Sequence, residues 1–300
     1  PVGMEMYMRP SNDMIKMTVW ENPNRKKFIQ WFDKSFKKYR ITNKKTSIKK
    51  PSKERDLFST QKIVRDYLSN QSPYRGLLLY HGLGVGKTCA SIAIAEANQN
   101  DRKTVVLLQK SIKQNYISQL KECGDLYYRK HKHWVFMFCS SVNNRPTYLF
   151  ALKLGITKSS IKINKGAFFI DFNKEDNYDS FTRIDKEKLD IQIDKMIDSK
   201  YEFQHLDGLT AKQLLKMDED RYFDNKLVII DEVHNIINGM ANGNSMRATR
   251  LNDMFMEANN TKFVFLSGTP MKNTPFEVAK LFNVLRGYIT NYVITLGPGP

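Results

Sequence analysis

Eight consecutive residues carry the plainest chemistry in this sequence. His81-Gly-Leu-Gly-Val-Gly-Lys-Thr88 follows an apolar run, Gly76–Tyr80, and precedes a segment rich in Ala and Ile. A strand, a glycine-rich turn and a helix N-terminus, in that order, make a phosphate cradle. Gly82, Gly84 and Gly86 let the chain bend until successive loop amides, those of Leu83 and Val85 included, face one anion. Lys87 is then expected on the β- and γ-phosphates, and the Thr88 hydroxyl on Mg2+. The cofactors this implies are ATP and Mg2+. One position departs from the usual G-x-x-x-x-G-K-[ST] pattern, because His81 stands where its first glycine is expected.

Two later segments repeat the design of an apolar strand ending in reactive side chains. In Leu227-Val-Ile-Ile-Asp-Glu-Val-His234, Asp231 sits at the strand's end, placed to hold Mg2+ through water. Glu232 is placed to take a proton from an attacking water, and His234 to report nucleotide state to neighbouring elements. Two carboxylates at a strand end also suit a solvated turn. The apolar strand before them and the phosphate loop upstream favour the catalytic reading. Phe263-Val-Phe-Leu-Ser-Gly-Thr-Pro270 ends in small hydroxyl residues. Ser267 and Thr269 either hydrogen-bond the acidic box and couple it to motion, or simply form a Ser-Gly-Thr-Pro turn.

These side chains need elements to hold them. Residues 57–68 have the apolar spacing of a short helix, with Ser59 as a plausible N-cap. Apolar runs at 76–80, 104–108, 134–139, 226–230 and 262–266 read as strands, and 88–97, 111–120 and 275–285 as helices. Strands alternating with helices specify an α/β fold with a mostly parallel sheet. Residues 156–225 are charged and only weakly periodic.

The chain of 300 residues is 41% hydrophobic, enough for a packed core, and carries a net charge of +17. That charge is uneven. Residues 1–65 hold 17 Lys+Arg against 6 Asp+Glu, whereas 171–225 hold 9 against 15. A basic arm suits contact with phosphate backbones. Phe28, Trp31, Phe32 and Phe36 recur at helical spacing within it, and pack on the body if Lys26, Lys27, Lys34, Lys37 and Lys38 stay outside. The boundaries expected are a basic extension over 1–55 and a nucleotide-binding domain over 56–300, with an acidic insert at about 142–225. Apolar runs such as Trp134–Cys139 fall far short of the roughly 20 residues of a bilayer span, so no membrane partner is expected. Cys89, Cys123 and Cys139 are odd in number and form no C-x-x-C pair, which fits a reducing compartment. Cys123, His131, His133 and Cys139 do not have zinc-finger spacing.

The order of phosphate loop, Asp-Glu-x-His and Ser-Gly-Thr-Pro resembles superfamily 2 helicases and translocases. By that resemblance the fold is a RecA-like P-loop NTPase domain. Gln61, some twenty residues before the loop, matches the glutamine that reads adenine in that superfamily, and Gln109-Lys-Ser111 matches a segment that contacts the nucleic-acid backbone. Bland alternatives remain for both: an exposed polar helix residue, and a strand-to-helix loop. Pro73–Thr88, Ser267–Met271 and Leu281-Phe-Asn-Val-Leu-Arg-Gly287 narrow the resemblance to the helicases of nucleocytoplasmic large DNA viruses. That group includes the small subunit of the poxvirus early transcription factor and the poxvirus nucleoside triphosphatase. It implies ATP hydrolysis driven by DNA or RNA, in viral transcription or DNA processing. It also implies viral RNA polymerase or a transcription factor subunit as a partner, and the virion and host cytoplasm as location. Motors of this superfamily close ATP between two RecA-like domains, and the second is not found in this chain. Weak hydrolysis by the isolated chain is therefore expected. The rival reading is an ATP-switched nucleic-acid-binding transcription component without unwinding activity.

Overall fold

Alternate residues of each central strand point to opposite faces of a sheet, and here both faces are covered. The computed structural model describes residues 14–23, 25–40, 57–80, 86–99, 101–242 and 245–288. In chain order the elements are α1 (Lys27–Ser35), α2 (Ser59–Tyr67), β1 (Gly76–Tyr80), α3 (Lys87–Asn98), β2 (Lys103–Leu108), α4 (Lys113–Cys123) and β3 (Trp134–Phe138). There follow α5 (Arg145–Lys153), α6 (Lys158–Asn164), β4 (Gly166–Ile170), α7 (Arg183–Lys200), β5 (Tyr201–His205) and α8 (Ala211–Glu219). The last are β6 (Lys226–Ile230), α9 (His234–Asn242), α10 (Met246–Glu257), β7 (Lys262–Ser267) and α11 (Pro275–Arg286).

Five strands form one parallel sheet in the order β1-β7-β6-β2-β5. Val106, Leu108, Leu227, Ile229, Val264 and Leu266 pack on one face, with α3, α4 and α7. Val105, Leu107, Val228, Ile230, Phe263 and Phe265 pack on the other, with α8, α10 and α11. This is the two-faced burial that continuous apolar strands require. The α/β fold with a mostly parallel sheet is thus as the sequence indicates.

The expected elements need several corrections. Trp134–Phe138 is a strand but not part of the main sheet; it pairs antiparallel with β4 in a separate two-stranded unit. The range 142–225 is not one excursion, since β5 lies within it and forms the main sheet's edge beside β2. Ser59 is the first helical residue of α2 rather than its cap. The Gln61 side chain caps instead, its Oε1 accepting from the Phe58 amide at 2.9 Å. The odd cysteine count, which fits a reducing compartment, gave no sign of a pairing: α3 and α4 pack side by side and join Cys89 to Cys123 in a disulfide, leaving Cys139 free and buried. His131 pairs with Asp176, and His133 bonds the Glu175 carbonyl.

The described part of the basic arm docks on α2. Trp20, Phe28 and Trp31 surround Tyr74, which stacks on Tyr67 at 4.5 Å. Beneath them Asp66 is buried, accepting from Tyr39 Oη at 2.6 Å and from the Ile15 amide at 2.9 Å. Lys26, Lys27, Lys34, Lys37 and Lys38 remain exposed. No helix among the described residues is long and apolar enough to cross a membrane.

Candidate functional site

The candidate residues converge on one edge of the sheet because parallel strands present all their C-terminal ends together. β1 leads to the phosphate loop, β6 to the acidic box, β7 to Ser267, and β2 to Gln109. His81, Gly82, Leu83, Gly84 and Val85 lie outside the described residues. The loop's last glycine, Gly86, is described and holds φ +78°, a left-handed backbone that suits glycine. A Cβ there would lie 2.8 Å from Gln61 Nε2. Lys87 and Thr88 then open α3.

Gln61 is buried, not an exposed helix residue. Its Nε2 donates to the Gly86 carbonyl at 3.2 Å, while its Oε1 serves the Phe58 amide. One end of the amide thus caps α2, and the other ties that helix to the end of the phosphate loop. Ser91 adds a second brace: its Oγ donates to the Thr88 carbonyl at 2.8 Å and lies 3.0 Å from Tyr116 Oη of α4.

The acidic box extends the sheet by two backbone bonds, Asp231 N–H to Leu107 O and Val233 N–H to Leu266 O, both 3.0 Å. Between them Glu232 turns through φ +49°, costly for a non-glycine residue and a mark of a constrained site. Asp231 Oδ1 accepts from the Glu232 amide at 3.0 Å. Burial, then the charge of Glu232, pushes the Asp231 carboxyl above its usual range; the Glu232 amide and Lys87 pull the other way. A carboxylate buried beside a second one is a good ligand for a cation, since a cation removes the penalty both groups share.

His234 Nδ1 lies 3.1 Å from Ser267 Oγ and 3.2 Å from Glu232 Oε2. Burial, and secondly Lys272, hold this imidazole below its ordinary value. Ser267 Oγ also accepts from the Thr269 amide at 3.0 Å. The structure thus joins the end of β7 to the acidic box through Ser267 and His234. Thr269 contributes its amide; among the described residues its hydroxyl bonds neither Asp231 nor Glu232. Gln109, Lys110 and Ser111 are exposed at the end of β2, in a 3-10 turn ahead of α4.

One residue escaped the sequence reading. Glu277 is buried and accepts from the amides of Lys272 (2.7 Å) and Asn273 (3.3 Å), which hold its carboxyl below the usual range. It fixes the loop that follows Ser267, and Asn273 Nδ2 carries that loop to Asn238 of α9 at 3.0 Å. Thr274-x-x-Glu277 is a capping-box spacing, and that was the available signal.

A glycine-ended turn feeding a helix at Lys87–Thr88, beside paired carboxylates at a strand end, defines a nucleotide-binding domain of the P-loop class. Within that class, residues 25–292 match the SNF2-related domain, so the chain belongs to that family. It is similar to a candidate ATP-dependent RNA helicase of Acanthamoeba polyphaga mimivirus, at 27% identity over 93% of this chain and 40% of that protein. It is 26% identical to a candidate helicase of Invertebrate iridescent virus 3, over 95% of this chain and 24% of that one. It is 24% identical to a termination factor NPH-I homolog of African swine fever virus, over 72% and 23%. The resemblance to helicases of large DNA viruses therefore stands. The chain spans at most 40% of the length of these relatives. A solved Sulfolobus solfataricus SWI2/SNF2 ATPase core in complex with dsDNA overlaps 77% of this chain and 36% of that one, at 14% identity and a TM-score of 0.40, too loose for residue-level comparison.

Proposed function

We propose that this chain is the ATP-binding part of a nucleic-acid-dependent ATPase, a helicase or translocase acting in viral transcription or DNA processing. The observation that carries the reading is the bonded path from Glu232 and His234 to Ser267, beside Lys87, at a single edge of the sheet. ATP with Mg2+ supplies the transferable phosphoryl group. The residues present suit it: Gly86 admits no side chain, and the buried Asp231 carboxyl favours a cation. The amides of Gly82, Leu83, Gly84, Val85 and Gly86, with the N-terminus of α3, bind the phosphates. Lys87 neutralises charge on the outer phosphates, and Thr88 and Asp231 hold Mg2+. Glu232 accepts the proton of the attacking water. Gln61 positions the end of the loop and borders the base. Ser267 and His234 pass the state of the acidic box to β7, and the Thr269 amide holds the Ser267 hydroxyl in place.

DNA or RNA crosses the exposed Gln109–Ser111 turn and meets the lysines of the basic arm. A second RecA-like domain supplies the arginine that stabilises charge on the γ-phosphate, worth roughly 10³–10⁵ in rate. Viral RNA polymerase or a transcription factor subunit is the macromolecular partner, in the virion and the cytoplasm of the infected host. The test is phosphate release by the full-length protein, with and without DNA or RNA. Stimulated turnover that disappears in Lys87→Ala supports the reading; equal turnover in that variant refutes it.

A further inference from the structure

The β3–β4 unit stands outside the main sheet and shares no residue with the nucleotide site. Its ladder shows which main-chain groups face outward. Cys139 N–H donates to Lys165 O, and Asp171 N–H to His133 O. In an antiparallel pair such bonded positions alternate. Residues 133, 135, 137 and 139 therefore face β4, and Trp134, Phe136 and Phe138 turn their amides and carbonyls to the free edge.

Side-chain amides finish part of these edges. On β4, Gln192 of α7 binds both outward groups of Phe168: Oε1 accepts from its N–H and Nε2 donates to its carbonyl, each at 2.9 Å. On β3, Asn177 does the same for Trp134, at 2.8 and 3.0 Å. Each amide imitates one residue of a neighbouring strand. The imitation then stops. Among the described residues nothing bonds the outward N–H and C=O of Phe136 or the N–H of Phe138; the Phe138 carbonyl meets only Asn144 Nδ2, at 3.3 Å. An open strand edge of this kind is a template for another extended chain.

Two further features describe what fits. A cavity of about 450 Å³ adjoins the edge, lined by the rings of Phe136, Phe168 and Phe181 and, at its rim, by one carboxylate and one ammonium, Asp185 and Lys188. The Phe138 side chain beyond it is 73% exposed. At the Trp134 end the cations are met by carboxylates, Lys130 by Asp190 and His131 by Asp176; beyond Phe138, residues 139–165 hold five Lys+Arg and no Asp or Glu. Alternating amides and carbonyls select an extended polypeptide, since a nucleic acid strand has no matching backbone pattern. The cavity selects an apolar side chain, and the charge beyond Phe138 selects an acidic flank.

We propose that the free edge of β3 docks an extended acidic segment of a partner protein, which adds as a strand beside Phe136 and Phe138 and seats one apolar side chain in the cavity. Docking is independent of nucleotide, because no residue of the edge belongs to the ATP site.

The probe is the fluorescent peptide Asp-Glu-Val-Thr-Phe-Thr-Val-Glu-Asp, titrated against the 300-residue chain by anisotropy. Saturable binding is expected, and its absence up to millimolar protein overturns the proposal. Two further versions carry N-methyl groups on every second amide, one in each register. A strand bonded along one edge loses at least tenfold affinity in one register and keeps it in the other; equal loss in both, or none in either, overturns the proposal. A version with lysine for every acid is expected to bind at least tenfold more weakly, and equal affinity overturns the acidic assignment. In the protein, Phe138→Pro removes the outward amide alone, and should weaken the peptide at least tenfold relative to Phe138→Ala; equal affinities overturn it. If Phe138→Pro fails to fold by circular dichroism, the N-methyl pair decides. A twelve-residue oligothymidylate that displaces the peptide, and is itself lost in Phe138→Pro, reassigns the edge to nucleic acid.

Discussion

The two ends of the main sheet are finished in opposite ways. At the N-terminal end, cations run inward and donate to main-chain carbonyls. Arg75 bonds the carbonyls of Phe255, Met256, Ala258 and Val284, at the last turns of α10 and α11. Lys262 Nζ donates to Ser72 O at 2.7 Å and Tyr74 O at 3.0 Å. Arg102 donates to both the carbonyl and the side chain of Asn260. Helix C-termini leave carbonyls unpaired, and one long cation satisfies several at once. At the C-terminal end the side chains are carboxylates, a hydroxyl and an imidazole, bonded to one another and to loop amides. One end closes the fold; the other keeps anionic groups together, where a bound cation has most to gain. Substitutions at the first end should therefore unfold the chain, and substitutions at the second should only silence it.

The largest expected effect is at the C-terminal end. Lys87→Ala should lower nucleic-acid-stimulated phosphate release by at least about 100-fold, while the thermal midpoint of the 300-residue chain stays within about 2 °C. A variant that melts early would erase the contrast between the ends. Arg75→Met should do the reverse. Stranding several buried carbonyls costs about 2–4 kcal/mol, or roughly 5–10 °C in midpoint. Affinity for a non-hydrolysable ATP analogue, measured well below the melt, should hold within about twofold, and parallel losses would mean that the ends are not separable.

Lys262 sharpens the comparison through pH. Burial, with Arg102 second, lowers its ammonium from 10.5 to about 7. Between those values the unfolded chain binds more protons than the folded one, so stability rises with pH across the window and is lost as pH falls through about 7. Unfolding free energies from urea titrations at pH 7 and pH 9 should therefore differ by about 1–2 kcal/mol more in the wild type than in Lys262→Met; equal differences would place the lysine's charge in water. The smallest effect belongs to Ser267→Ala. Losing the hydroxyl beside His234 should slow stimulated turnover by roughly five- to tenfold, equivalent to one hydrogen bond, with analogue binding unchanged. A drop in binding instead would put Ser267 on the nucleotide.

Much of this arrangement was legible residue by residue. β1, β2, β6 and β7 are unbroken apolar runs because both sides of each are covered, and the loops that follow them advertise their chemistry through Gly-Lys-Thr, Asp-Glu-x-His and Ser-Gly-Thr-Pro. β5 was not legible. Among the described residues it pairs only with β2, and Glu202 and Gln204 turn from the core to bond Tyr222, so its sequence looks like an exposed stretch. Gln61 is not the exposed residue its helix position suggests: it is buried, caps α2 and holds Gly86, a role visible only when α2 and α3 lie together. The Cys89–Cys123 disulfide was hidden for the same reason: odd counting cannot see that two helices place residues 34 apart in sequence within reach.

What the sequence determined by itself is the α/β alternation and the chemistry of each loop. Burial on both faces demands apolar strands, and phosphate binding demands glycine, lysine and hydroxyl in a fixed order. Only the tertiary structure decided the strand order, the contact of His234 with Ser267 across 33 residues, and which outward groups of β3 stay free. These depend on distant segments meeting, and local propensity carries no information about which surfaces will meet.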